Sequence, residues 1–281
     1  MTKVTAAMVK ELREITGAAM MDCKRALTEC HADLEAAKEL LRKKGQSIAN
    51  KKSSRETREG AISIYNTGSR AGLVKVACET DFVAINDQFR KFIAELAKYA
   101  AEFGVDNFVD KTVGKASIRE RMVETIAKLG ENIVFVEGIS WEAKGDNAIG
   151  AYTHSNGKIG VAVEIAPDKS VEKSKLQAVA KDIAMHIAAS QVEAIQEQDL
   201  DPAVLEKERA FLTDQAKESG KPDGIVAKMV EGRLKKFKKE ICLLYQNFVK
   251  NPETTIAQLL KDTGKELGTG LTVKRYYKAQ F

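Results

Sequence analysis

Cys78-Glu79-Thr80-Asp81-Phe82-Val83-Ala84 decides how the chain is read. It follows the apolar run Leu73-Val74-Lys75-Val76 and precedes Phe89, Phe92, Ile93, Leu96 and Ala100, which recur at helical spacing. The segment is therefore a corner between a strand and an amphipathic helix, with Asn86 or Asp87 as the helix cap. A corner of this kind ordinarily keeps a large aromatic in the core. Here Phe82 adjoins one acid and lies three residues after another, and a turn at this point directs it outward. Asp81 and Phe82, flanked by Thr80 and Val83, are expected to form a projecting wedge that acts on another protein.

Upstream of the corner, Ala61-Ile62-Ser63-Ile64-Tyr65 and Leu73-Val74-Lys75-Val76 flank the turn-rich Asn66-Thr67-Gly68-Ser69-Arg70, a hairpin signature. Downstream, Ser117-Ile118-Arg119-Glu120 is a capping box opening a second helix, which Gly130-Glu131-Asn132 ends. Ile133-Val134-Phe135-Val136 is a third strand. The unit reads β-β-α-α-β and then recurs from Ala151, with Tyr152 matched to Tyr65 and Gly160 to Gly72. A helix through Leu176, Ile183 and Ile187, a capping box at Thr255-Ile256-Ala257-Gln258 and a strand at Leu271–Tyr277 complete the second copy. The second copy has Ala166-Pro167-Asp168 after its matching strand and no aromatic, so the fold unit itself does not require Phe82.

Residues 5–45 read as three short helices, capped by Thr5 and Asp33 and ended by Gly17 and Gly45. Such a package resembles ubiquitin-associated domains. Met20 and Met21 fall in the loop into the second helix, where at least one is exposed. Residues 46–60 read as a polar, basic linker around Lys51-Lys52-Ser53-Ser54-Arg55. The second copy carries an insertion, two helices joined by Ser219-Gly220-Lys221-Pro222 into an antiparallel hairpin. The fold class is α+β: a three-helix ubiquitin-associated-like domain and linker (1–54), a core N-subdomain (55–140), a core C-subdomain (141–190 and 240–281) and a coiled-coil hairpin (191–239).

At 281 residues, 44% apolar and 30% charged, the composition is that of a globular chain of more than one module. No apolar run approaches the roughly 18 residues of a membrane span. Met1 to Thr5 lead directly into a helical pattern without a signal or transit segment, so a cytoplasmic protein is expected. The four cysteines lack a C-x-x-C clip and read as structural thiols. The net charge of +5 is modest, and acids are interspersed with bases outside Arg42–Arg58 and Arg233–Lys239. A solvated charge run is the preferred reading of both stretches.

Neither a phosphate-binding G-x-x-x-x-G-K-[ST] nor H-E-x-x-H nor G-x-S-x-G occurs. His31, His154 and His186 are far apart in sequence. His154 reads as a turn residue and His186 as a partly buried one. No covalent catalysis, cofactor or metal site is expected.

Leu12-Arg13-Glu14, Thr16-Gly17-Ala18, Met20-Met21-Asp22-Cys23-Lys24 and Ala26-Leu27 resemble the amino-terminal signature of the elongation factor Ts family. Glu79-Thr80-Asp81-Phe82-Val83-Ala84 is similar to its second signature. Gly130-Glu131-Asn132-Ile133, Ile183-Ala184-Met185-His186 and Met229-Val230-Glu231-Gly232-Arg233 extend the likeness along almost the whole chain. The resemblance implies a guanine-nucleotide exchange factor for elongation factor Tu, binding the GDP-bound and nucleotide-free forms. It implies that Asp81 and Phe82 intrude near the magnesium site of the GTPase. Arg13, Met20 and Met21 would grip the GTPase domain, and His154 would touch another domain of the partner. The chain stops at Phe281, so the carboxy-terminal helical module of longer members is expected to be absent. No membrane and no direct nucleic-acid contact are expected, and a homodimer or heterotetramer through the hairpin is left open. Two rivals stand beside this reading. One is an RNA-associated basic protein, and the other a ubiquitin-like adaptor that works through the three-helix module alone.

Overall fold

The computed structural model describes residues 3–218 and 222–281. Three helices open the chain: α1 (Ala6–Thr16), α2 (Met20–Glu29) and α3 (Leu34–Lys52). Their caps are the ones the sequence signals. Thr5 accepts from the Met8 amide at 3.3 Å and Asp33 from the Ala36 amide at 2.9 Å, while Gly17 closes α1 in a left-handed conformation. Leu12, Cys23, Ala26, Leu27 and Ala37 fill the small core between them.

Two expectations for this region are corrected. The first is that α3 does not stop at Gly45 but runs to Lys52, and Gly45 is buried against Val123 and Ala127. A mid-helix glycine costs about 1 kcal/mol, and packing on a later helix offsets it. Ala49, in the stretch expected to be a linker, enters the main core. The second is that Met20 and Met21 are the first residues of α2, not loop residues, and both side chains are exposed.

The first sheet follows. β1 (Glu59–Asn66) and β2 (Arg70–Cys78) pair antiparallel, then come the one-turn helix α4 (Asp81–Ala84) and α5 (Asp87–Phe103). A two-residue ladder, β3 (Thr112–Val113) with β4 (Ala116–Ser117), leads into α6 (Ile118–Leu129), and β5 (Ile133–Glu142) completes the order β1-β2-β5. The Ser117–Glu120 capping box forms in both directions. Val74, Val76, Phe89, Ile93, Leu96, Ile118 and Ile133 meet in one core between the sheet and its helices.

The second sheet repeats the plan. β6 (Ala148–His154) and β7 (Ile159–Pro167) are followed by α7 (Lys173–Ala189), then by α8 (Pro202–Lys217) and α9 (Asp223–Ile241). The short pair β8 (Asn247–Phe248) and β9 (Asn251–Thr255) precedes α10 (Ile256–Leu267), and β10 (Leu271–Gln280) pairs with β7. The strand order β6-β7-β10 reproduces β1-β2-β5. The Thr255 box is only half made. Thr255 accepts from the Gln258 amide, but the Gln258 side chain bonds Asp262 instead.

The repeat alignment also slips in detail. Gly72 pairs with Tyr65, whereas Gly160 pairs with Thr153 and Tyr152 with Val161. A Cβ on Gly72 would lie 2.1 Å from the carbonyl oxygen of Ala97, so α5 sits directly on β2. The residue with that role in the second copy is Gly150, whose Cβ would meet Lys181 N of α7 at 2.2 Å. Gly160 instead lies against Ile62 of the other sheet.

Helices α8 and α9 pack against each other through Leu212, Ala216, Val226, Val230 and Leu234. Ala194, Leu200, Ile241 and Cys242 form a second apolar cluster at their base, where Lys238 pairs with Glu197. The connection expected at Ser219-Gly220-Lys221 lies outside the described residues.

Candidate functional site: the braced corner after β2

The corner begins where β2 ends in the buried thiol of Cys78, which donates to the Thr80 carbonyl at 3.2 Å. Burial pushes that thiol up to about 12, so it stays protonated and inert. Thr80 is extended and caps α4: its Oγ1 accepts from the Val83 amide at 3.4 Å. One turn of helix has little stability of its own, so its direction is set by what holds it.

Two side chains on the inner side hold it. Ala84 is buried, and Val83 packs half-buried against the first core. The outer side is free: Asp81 is exposed, Phe82 is 77% exposed and Ile85 is 59% exposed. An unpartnered phenylalanine at the tip of a pinned turn is the most conspicuous apolar protrusion among the described residues.

The loop after α6 braces the corner from behind. The Glu131 carboxylate accepts from the Glu79 amide at 3.1 Å, the Thr80 amide at 3.0 Å and the Thr80 hydroxyl at 2.6 Å. Glu79 reciprocates, accepting from the Asn132 amide at 2.7 Å and from Arg55 at 3.3 Å. Burial pushes the Glu79 carboxyl up, but those two hydrogen bonds outweigh it, and its pKa lies below the usual carboxylate range. Asn132 is buried and its amide donates to the Arg55 carbonyl at 2.9 Å and the Ser53 carbonyl at 3.4 Å. Lys52, at the end of α3, donates to the Gly130 carbonyl. The basic stretch read as solvated is thus partly spent on this loop, and Gly130-Glu131-Asn132 does more than end a helix. Apart from Arg55 and Glu79, these partners lie some fifty to eighty residues apart in sequence, where no spacing rule could join them.

Arg90 holds the far side. Its Nε donates to the Ala84 carbonyl at 2.9 Å, and another guanidinium nitrogen donates to the Asn156 carbonyl in the turn between β6 and β7. His154, the last residue of β6, is exposed, and its Nδ1 lies 2.9 Å from the Tyr152 hydroxyl. The Asp81–Phe82 turn and the turn that follows His154 are therefore joined through one guanidinium, while His154 itself ends the β6 ladder opposite Ile159 and is not the turn residue the sequence suggests.

The remaining residues singled out in the sequence lie on the helical module. Arg13 is exposed in the last turn of α1, and Met20 and Met21 are exposed at the start of α2. Between this module and α6 runs a cleft of about 420 Å³, lined by Arg13, Ile15, Ile48, Val123 and Lys128 among others. Ile15 and Ile48 are partly open to solvent there. Among the described residues no cluster of three His, Cys, Asp or Glu is placed to hold a metal, and no helix is long and apolar enough to cross a membrane.

Comparison with known proteins adds an independent line. The family model described as elongation factor Ts matches residues 79–280, which begins inside the corner. A protein of Parvibaculum lavamentivorans named elongation factor Ts is 42% identical over 284 aligned residues, covering 97% of this chain and 91% of its own. The elongation factor Ts of Nitratidesulfovibrio vulgaris is 42% identical, covering 99% of this chain and 95% of its own. That of Lawsonia intracellularis is 41% identical, covering 99% and 98%.

Proposed function

Because the chain belongs to the elongation factor Ts family, and so to translation elongation factors that exchange nucleotide without covalent chemistry, we propose that it binds elongation factor Tu carrying GDP and speeds GDP release. The observation that carries this reading is the exposure of Phe82 on a turn braced by Glu131, Arg90 and Ala84. Asp81 and Phe82 enter beside the magnesium site of the GTPase, with Thr80 and Val83 holding the turn. Arg13, Met20 and Met21 grip the GTPase domain, and His154 touches a second domain of the partner.

The energetics follow from linkage. A factor that binds the nucleotide-free partner more tightly than the GDP-bound form weakens GDP binding by the same ratio. Displacing magnesium removes charge that neutralises the phosphates. Burying Phe82 only in the deformed partner supplies about 1.5–3 kcal/mol of differential contact. GTP then loads from the free pool.

Release of fluorescent GDP from elongation factor Tu, followed with and without this chain, tests the proposal. A catalytic amount of the chain is expected to accelerate release. An unchanged release rate at saturating chain would remove the exchange reading.

A further inference from the structure

We infer that Glu131 is a positioning residue for exchange, acting through Thr80 to aim Phe82. The inference rests on the reading of Phe82 as the exchange wedge.

The turn Asp81–Ala84 is too short to hold its own direction, and Phe82, 77% exposed, is not anchored in the core. Ala84, Val83 and Arg90 anchor the far end of the turn, and the near end takes its aim from the backbone immediately before it. That backbone has two amides, Glu79 N and Thr80 N, left without ladder partners at the end of β2, and both point at one carboxylate oxygen of Glu131. The other oxygen accepts a hydrogen bond from the Thr80 hydroxyl at 2.6 Å. With its proton so committed, the hydroxyl oxygen faces the Val83 amide and caps the turn. One side chain therefore sets the backbone before the wedge and, through Thr80, the helical turn that carries it. Glu131 itself is placed by its neighbours: Asn132 is buried and bonded to Arg55 and Ser53, and Gly130 accepts from Lys52.

The role is geometric and does not require the charge. A glutamine at 131 can present its carbonyl oxygen to the two amides and its NH2 to the Thr80 hydroxyl oxygen. An alanine leaves all three donors without their partner. A mispositioned contact group lowers the rate of the assisted step more than it lowers binding.

The experiment measures kcat and KM for release of fluorescent GDP from elongation factor Tu with wild type, Glu131→Ala, Glu131→Gln, Phe82→Ala and the double variant Glu131→Ala/Phe82→Ala. Melting temperatures are recorded alongside. Glu131→Ala is expected to lose about tenfold in kcat with KM within about twofold of wild type. Glu131→Gln is expected to recover most of that loss. In the Phe82→Ala background the alanine at 131 should add almost nothing, because both changes disable one device. Wild-type exchange by Glu131→Ala overturns the inference, as does a glutamine variant no better than the alanine. Equal losses in the two backgrounds, or a parallel fall in kcat, KM and melting temperature, reduce Glu131 to a structural residue and overturn it too. If Phe82→Ala itself exchanges like wild type, the exchange reading of the wedge fails, and this inference fails with it.

Discussion

Arg90 and Ala84 are joined by a 2.9 Å hydrogen bond from the guanidinium Nε to the carbonyl at the end of the wedge turn, and the same guanidinium reaches Asn156 in the second repeat. Two surfaces from different sheets are thereby held in one geometry. Arg90→Ala is expected to raise KM and lower kcat together, by about threefold to tenfold each, with a stability loss of about 1–3 kcal/mol. Steady-state exchange and urea unfolding measure the two effects. Loss of stability with unchanged exchange would show that the two surfaces act separately.

Phe82→Ala removes a ring that is already mostly in water, so the urea midpoint should not move. Exchange should fall by about ten- to a hundredfold in kcat/KM, the loss of about 1.5–3 kcal/mol of burial made only with the partner. A midpoint shift comparable to a core truncation would show that the ring packs against its own chain.

The exposed methionines predict a different kinetic signature. Met20→Ala with Met21→Ala should weaken partner binding and raise KM while leaving kcat at saturation close to wild type. A fall in kcat at unchanged KM would contradict the reading of these two residues as a grip on the partner.

Glycine substitutions test the helix-on-sheet contacts. Gly72→Ala and Gly150→Ala each drive a methyl to within about 2 Å of helix backbone and should cost about 3 kcal/mol or more. Gly232, inside α9 with nothing within 4 Å of a Cβ, should behave oppositely, with Gly232→Ala gaining about 1 kcal/mol. Urea denaturation of the three variants provides the comparison.

His186 gives stability a pH dependence. The ring is buried, with Nε2 2.8 Å from Gln246 Oε1 and Nδ1 accepting from the Val249 amide at 3.3 Å, which leaves no place for a second proton. Burial lowers its pKa below the ordinary 6.5, and the Gln246 bond only partly opposes this. The unfolded chain therefore takes up the proton first as pH falls. The contribution to stability is complete above about pH 6.5 and is lost progressively below it. Unfolding midpoints at pH 7.5 and 5.5 should differ more for wild type than for His186→Gln.

What could be read in advance depended on how far apart the deciding groups lie. The β1–β2 hairpin and the Ser117–Glu120 box are visible because the turn that starts the one and the cap that makes the other each lie within a few residues. The end of α3 was not, because Gly45 and the polar residues after it look like a stop and only packing on α6 overrules them. Gln258 had a local alternative in Asp262 and took it. Tyr152 and Gly160 look like Tyr65 and Gly72 in sequence, but the strands pair one residue out of step, and α7 settles on Gly150 instead. At the site, the position of Phe82 at a corner was legible, whereas Glu131, Arg90 and Lys52 were not. Each acts across a gap in sequence that only the folded chain closes.

The tie from Lys52 to Gly130, with Asn132 holding Ser53 and Arg55, has a further consequence. It makes the first helical module and the corner two jaws of a calliper whose opening is fixed before any partner arrives. A partner that fits the gap meets both jaws at once and spends no free energy ordering the space between them. A partner whose dimensions changed with its bound nucleotide would fit that gap in one state and strain against it in the other.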